Sequence, residues 1–331
     1  MSRLFLHGMG HFHPENVIDN RFLEELDIGT TDDWIMERVG IQQRRTVLPL
    51  EYISDTQNKD PRLAQEAALY DNAETAACAA RPALDRAGIN ASDVGLVVSG
   101  GCYSDMAIPA EASRIAAALD IDAPGIDINS ACCSFGAQLH ILRSMDSLPR
   151  FVLVVNPENT TRAIDYSDRA NAVLWGDGTS VAVVSVQEPA AVSVIESTLG
   201  ADSKRWQAVC IPRHGHFAQN GSAVQRFAIK TTIALAKELL PRAGSYTETS
   251  GGNLRFVGHQ ANLTMLEAVA KRIGFDPNGH WHNVVHFGNT GAAGAPSVLS
   301  QHWEELKTGD CVILAVVGSG LTWSSLRIEV S

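Results

Sequence analysis

The chain has 331 residues, more than the roughly 100–200 of a usual single domain, so two packed domains or one large duplicated unit is the expectation. Hydrophobic residues at 45% against charged residues at 19% exclude a long disordered tail, and a formal charge of −11 excludes a general nucleic-acid binder, which needs a basic face. No run of about 18 apolar residues is present to cross a membrane, and Met1 to Glu15 carries no cleavage-like pattern, so the chain reads as a soluble cytoplasmic protein.

Helix and strand patterns alternate along the chain, which predicts an α/β fold with buried, largely parallel strands. Residues 73–88 read as a helix and 94–99 as a short apolar strand. Pro109 stands where a first helical turn would begin, ahead of the apolar-periodic 110–119. A strand over 126–130 is followed at once by Ala131, Cys132 and Cys133 and then by a helical pattern over 134–145. Residues 151–155 and 181–186 read as two more strands, and 197–221, rich in polar, Gly and His residues, as a surface excursion between halves or beside a substrate entrance. A similar plan then recurs: helix 224–240, loop 242–253, strand 254–257, helix 263–273, strand 283–287, helix 295–306, and strands 311–317 and 321–330. A structural duplication is expected, with halves over 1–187 and 188–331, although no repeat shows at the residue level.

Six cysteines without C-x-x-C spacing indicate neither a zinc site nor a disulfide framework. The histidine pairs His11/His13, His214/His216 and His280/His282 lack the further ligands a metal needs, so no metal is expected. Cys132 is different, because the strand-turn-helix pattern sets it at the N-terminal end of a helix. There the macrodipole and unpaired N–H groups favour the thiolate. From that feature alone a small buried thiol in a tight turn is an equal reading. Gly258-His259-Gln260-Ala261-Asn262 and Gly288-Asn289-Thr290-Gly291 each follow a short apolar run, so that His259 and Asn289 stand at strand ends, where open α/β sheets place their sites. A Cys, a His and an Asn so placed suit thioester chemistry: the Cys attacks, and the other two donate hydrogen bonds to a carbonyl oxygen gaining negative charge.

Asp127-Ile128-Asn129-Ser130-Ala131-Cys132-Cys133-Ser134-Phe135, the His259 and Asn289 segments, and Gly318-Ser319-Gly320-Leu321-Thr322-Trp323 together resemble β-ketoacyl-acyl-carrier-protein synthase III, in that family's order and over nearly the whole chain. The resemblance implies a five-layered αβαβα thiolase-like fold, its N-terminal half carrying the nucleophile and its C-terminal half the His and Asn. It implies a homodimer and ping-pong catalysis without a resident cofactor, acyl-CoA and a malonyl thioester on acyl carrier protein being the substrates. Cys132 is acylated, CoA leaves, and the malonyl group decarboxylates and attacks. His259 and Asn289 hold the enolate oxygen, and the N–H groups of Cys132 and Ser319 form the oxyanion hole.

Thr31-Asp32-Asp33-Trp34-Ile35-Met36-Glu37-Arg38 resembles the family segment whose Trp stacks on adenine, which implies CoA contacts for Trp34 and Arg38. Asp168-Arg169 followed by Gly176-Asp177-Gly178 implies a third at Arg169. Ile108 and Trp175 fall to the acyl pocket, Ile108 standing where many relatives carry an aromatic that crosses the dimer interface. Lys271 and Arg272 fall to carrier-protein docking, while Thr264 and Ala228 stand where basic residues are common. Cys133 and Ser134 depart from the small residues usual beside the nucleophile. The runner-up function is an O- or N-acyltransferase of the same fold. A papain-like Cys-His-Asn hydrolase and a silent partner subunit fit less well, the first for its fold and the second because all three residues are intact.

Overall fold

Runs of β-branched and other apolar residues become strands covered on both faces. Phe151–Glu158 and Gly178–Ser185 are buried at every position. The computed structural model describes residues 2–331. Its nine principal strands are β1 (Leu4–Phe12), β2 (Val94–Ser99), β3 (Gly125–Asp127), β4 (Phe151–Glu158), β5 (Gly178–Ser185), β6 (Val192–Ala201), β7 (Leu254–Gly258), β8 (Cys311–Gly318) and β9 (Thr322–Val330). They lie side by side in the order β7-β8-β9-β6-β1-β5-β4-β2-β3. The principal helices are α1 (Asp32–Val39), α2 (Asn72–Ala87), α3 (Glu111–Ala118), α4 (Ser134–Leu142), α5 (Gly221–Ser250), α6 (Leu263–Ile273) and α7 (Gly294–Gln301).

Side chains alternate across each strand, and the two faces feed different cores. Val152 and Val154 of β4 join Phe135 and Leu139 of α4 and Val298 and Leu299 of α7 in a central core. Leu153 and Val155 face the other way, onto Ala76, Ala80 and Ala83 of α2 and Ile115 of α3. Leu235 and Leu239 of α5 and Val269 of α6 cover Phe256 and Ile313 on the opposite flank. The result is helices, sheet, helices, sheet and helices, five layers with α4 and α7 in the middle. Contact between β1 and α2 is close enough to require glycine: a Cβ on Gly10 would lie 2.0 Å from the Ala79 carbonyl oxygen.

Two strand sets follow one plan. β2 and β4 are parallel, β4 and β5 antiparallel, and β5 and β1 antiparallel. β7 and β8, β8 and β9, and β9 and β6 repeat those relations in the same order. The sets meet where β1 pairs with β6 from Leu4 opposite Val194 to Leu6 opposite Val192.

Five expectations need correction. The sheet is not largely parallel: β2 with β3, β2 with β4 and β7 with β8 are parallel, while β1, β5, β6 and β9 run antiparallel to both of their neighbours. β8 and β9 are joined by Ser319–Leu321 alone, too short for a parallel crossover. The predicted strand at 283–287 is a helical turn, Val284–Phe287, because the Asn283 and Val284 N–H groups donate to Gln260 Oε1 rather than to a neighbouring strand. Most of the predicted loop at 242–253, as far as Ser250, is the last third of α5. Leu235, Leu239, Ala243 and Thr247 keep one buried face across Pro241, and that packing outweighs the bond Pro241 cannot donate. Pro109 precedes α3 rather than opening it, since the Asp127 carboxylate takes the Glu111 and Ala112 N–H groups at 2.8 and 2.9 Å and fixes the helix start there. Residues 197–201 belong to β6, and the excursion proper is a 3-10 segment, Ser203–Ala208, and a small ribbon, Val209–Cys210 with Ala218–Gln219. No helix among the described residues is long and apolar enough to cross a membrane.

Candidate active site

Cys132 lies in the turn between β3 and α4. Asn129 Oδ1 accepts the Ala131 N–H at 2.8 Å and helps hold Ala131 at φ 47°, a conformation a residue with a Cβ adopts reluctantly. Ser134 completes the brace. Its Oγ accepts the Ser130 N–H at 2.9 Å and donates to the Ala131 carbonyl at 2.7 Å, a brace that glycine at this position could not supply. The two adjacent thiols then have different fates. Cys133 is fully buried, its Sγ directed at the Val316 carbonyl, and burial pushes it up to about 12. Cys132 lines a cavity, and its pKa is held well below the usual thiol range. The largest cause is a hydrogen bond from Cys102, whose Sγ lies 3.6 Å away; burial opposes it, and the His259 side chain and the Ser319 N–H add to it.

His259 follows β7 and Asn289 follows the Val284–Phe287 turn, and Gln260 joins the two segments. Gln260 Nε2 donates to the Gly258 carbonyl at 2.8 Å, while its Oε1 takes the donors that open the turn. Asn289 is clamped by its backbone, donating to Leu174 O at 2.8 Å and accepting from Gly176 N at 3.0 Å. Its Oδ1 accepts the Gly291 N–H at 3.0 Å, which leaves the Nδ2 donors for a ligand. The Gly318–Ser319 turn closes the site from the opposite side. A Cβ on Gly318 would lie 3.2 Å from Cys132 N, so that turn rests against the Cys132 backbone.

These side chains share a cavity of about 740 Å³. Its outer wall includes half-buried Trp34 and exposed Arg38, and its inner wall Trp175 and Phe217, packed edge to face at 4.8 Å. Two guanidinium groups lie near the Trp34 ring, Arg169 at 4.9 Å and Arg38 at 5.9 Å from its centroid. Thr31 caps α1 and Thr264 Oγ1 donates to the Arg38 carbonyl at 3.0 Å, so the Trp34 helix is tied to the start of α6 beside His259.

Cys132, His259, Asn289, Ser319, Trp34, Arg38 and Trp175 therefore meet at one cavity, with Arg169 stacked beside it. Lys271 and Arg272 are exposed in the last turn of α6, off the cavity wall. Ile108 is also off the wall of this cavity and is 83% exposed. From the segment joining β2 to α3 it is Cys102, not Ile108, that lines the cavity. Sequence reasoning passed over Cys102 and over Glu158, which lies buried behind it and accepts the Cys102 N–H at 3.0 Å. The available signal was position: Cys102 follows β2 as His259 follows β7, the corresponding strand of the other set.

Comparison with known proteins gives the family. Residues 126–203 match the 3-oxoacyl-(acyl-carrier-protein) synthase III family and residues 254–330 its C-terminal counterpart. The β-ketoacyl-(acyl-carrier-protein) synthase III of Syntrophomonas wolfei is 31% identical, covering 97% of this chain and 96% of that one. The crystal structure of 3-oxoacyl-(acyl-carrier-protein) synthase III from Aquifex aeolicus superposes with a TM-score of 0.85 at 26% identity, over 98% of this chain and 99% of that one. The priming β-ketosynthase of the R1128 polyketide pathway gives 0.80 at 25% identity, over 99% and 96%. With its sequence and its fold matched over nearly the whole chain, the chain belongs to the β-ketoacyl-acyl-carrier-protein synthase III family.

Proposed function

We propose that the chain condenses an acyl-CoA with a decarboxylating malonyl thioester to give a β-ketoacyl product, with Cys132 as nucleophile. The observation that carries this reading is the convergence of Cys132, His259 and Asn289 on one cavity whose outer wall bears Trp34. In the first half-reaction the Cys132 thiolate attacks the thioester carbonyl. The oxyanion is met by the Cys132 and Ser319 N–H groups, where one well-placed donor is worth about 3–4 kcal/mol. The carbon–sulfur bond to CoA breaks, and CoA leaves as a thiolate that is protonated in solvent.

In the second half-reaction the malonyl carboxylate departs as carbon dioxide and leaves its electron pair on the α-carbon. His259 and the Nδ2 donors of Asn289 face the enolate oxygen. The carbon attacks the acyl group on Cys132, a carbon–carbon bond forms, the carbon–sulfur bond breaks, and the thiolate is restored. Trp34 stacking and Arg38 and Arg169 binding phosphate suit the nucleotide end of CoA. Lys271 and Arg272 offer two exposed cations for an acidic carrier protein. The exposure of Ile108 supports reading it as a side chain offered to the second copy in a homodimer.

Intact-protein mass spectrometry with acyl-CoAs from acetyl to decanoyl tests the first half. One acyl mass is expected on the native protein and on Cys133→Ala, and none on Cys132→Ala; an adduct surviving in Cys132→Ala overturns the assignment. Carbon dioxide release from a malonyl thioester tests the second half. Acyl transfer without that release would point to an alcohol or amine acceptor instead.

A further inference from the structure

Cys102 is driven against the nucleophile by the backbone that precedes it. A Cβ on Gly100 would lie 2.2 Å from the Ile128 carbonyl oxygen, and one on Gly101 2.6 Å from that of Pro157. Both glycines thus let the segment after β2 press between the ends of β3 and β4. The Cys102 and Cys132 sulfurs end 3.6 Å apart, a sulfur hydrogen-bond distance and far from the roughly 2.05 Å of a covalent bond. Both thiols are free and both line the cavity.

Two thiolates cannot share that spacing, so a proton stays with one sulfur, and the surroundings decide which. Cys132 faces the His259 side chain, the Ser319 N–H and the N-terminal end of α4, all of which favour negative charge. Cys102 faces the buried Glu158 carboxyl group from the end of β4, which disfavours it. The remaining titratable neighbour, Cys133, is buried with its proton.

We propose that Cys102 is a positioning residue for the nucleophile: its Sγ–H donates to the Cys132 sulfur and holds the resting Cys132 as an oriented thiolate. This rests on Cys132 being the nucleophile of the proposed function, but its test needs no condensation reaction. Removing the donor has two effects on Cys132. The thiolate forms only at higher pH, and once formed it is more nucleophilic, because nucleophilicity rises with thiol basicity, by about threefold for each tenfold gain in proton affinity.

The rate of iodoacetamide alkylation at Cys132, read by peptide-resolved mass spectrometry between about pH 5 and pH 10, separates these effects. Cys102→Val, which fills the site without a donor, is expected to move the inflection up by about one pH unit or more and to raise the high-pH plateau about threefold. Cys102→Ser, which keeps a donor, is expected to stay nearer the native inflection than Cys102→Val. A native inflection in Cys102→Val, or in Cys102→Ala should the valine variant not fold, overturns the proposal. So does a displacement in Cys102→Ser as large as that in Cys102→Val, which would make packing the cause. Loss of condensation with the expected alkylation profile would refute the functional reading and leave the sulfur pair standing.

Discussion

Glu158 Oε1 accepts the backbone N–H of Ala292 at 2.7 Å and so ties the end of β4 to the loop that follows Asn289. The same oxygen takes the Cys102 N–H at 3.0 Å, and Oε2 takes the Thr160 hydroxyl at 2.7 Å. One fully buried carboxyl group therefore joins the strand end, the segment beside the nucleophile and the Asn289 loop. Burial, with the nearby Cys132 charge, pushes its pKa up to about 7.

Replacing Glu158 separates its shape from its charge. Glu158→Gln keeps a carbonyl oxygen for both backbone donors and is expected to leave unfolding free energy within about 1 kcal/mol of native. Glu158→Ala leaves two buried N–H groups without an acceptor, at about 1–3 kcal/mol each. Urea denaturation at neutral pH should show a loss of about 2–6 kcal/mol for Glu158→Ala alone. Equal losses in the two variants would mean that the carboxylate charge, not the acceptor geometry, holds the loop.

Such long-range ties also mark where sequence reading stopped. The turn around Cys132 was legible because an apolar strand and a periodic helix flank it directly. Cys102 and Glu158 were not, since folding brings them to Cys132 and Ala292 across 30 and 134 residues. The apolar run at 283–287 reads as a strand until the acceptor of its first N–H groups is found to be Gln260 Oε1, more than 20 positions back. In α5, Pro241 and Gly244 carry breaker signals, but Tyr246 reaches the Val330 carbonyl at 2.8 Å and packing keeps the helix intact. Local pattern gave the elements; tertiary partners decided where they end.

Trp34 has the Arg169 and Arg38 guanidinium groups near its ring, an aromatic face beside two cations that suits an adenine nucleotide. Stacking of a base on an aromatic ring is worth about 1–3 kcal/mol, so Trp34→Ala should raise KM for an acyl-CoA by about 5–150-fold. Arg169→Ala should raise it by about 2–5-fold. Steady-state kinetics with the corresponding acyl-pantetheine, which lacks the nucleotide, should be unchanged in both. Equal loss with the truncated donor would show that the helix, not the nucleotide contact, had been damaged.

His13 supplies a pH test of stability. Its ring stacks on Phe287 at 3.8 Å and its Nδ1 lies 3.1 Å from the Asp177 carbonyl oxygen. Burial lowers its pKa to about 3, with Asp177 opposing and His11 and Arg45 adding to the fall. Between pH 6.5 and pH 3 the unfolded chain takes a proton that the native state refuses. The contribution is therefore present above the unfolded value and lost as pH falls toward the folded one. From pH 7 to pH 5, urea denaturation should show native protein losing about 2 kcal/mol more than His13→Gln. Parallel losses would exclude the buried imidazole as the source. Glu158 and Asp177, raised to about 7 and about 6, act in the opposite sense but are common to both proteins and cancel in the comparison.

Gly318 tests how closely the oxyanion donors must be set. Its φ of −150° is extended backbone open to any residue, so alanine there is limited by space alone. An added Cβ would lie 3.1 Å from Cys133 N and 3.2 Å from Cys132 N, and each neighbour would have to give by a few tenths of an ångström. The segment that must move bears the Ser319 N–H, which points at the nucleophile in the free protein. Cys132 is on the other side of the contact, so both proposed donors are displaced relative to one another. Gly318→Ala is expected to fold with a melting temperature within about 5 °C of native. The rate of Cys132 acylation by acyl-CoA, followed by stopped-time mass spectrometry, should fall by about 10–1,000-fold, up to the loss of one oxyanion donor. Native acylation with native stability would show that the turn tolerates the methyl group and that Ser319 is not held in place by this contact.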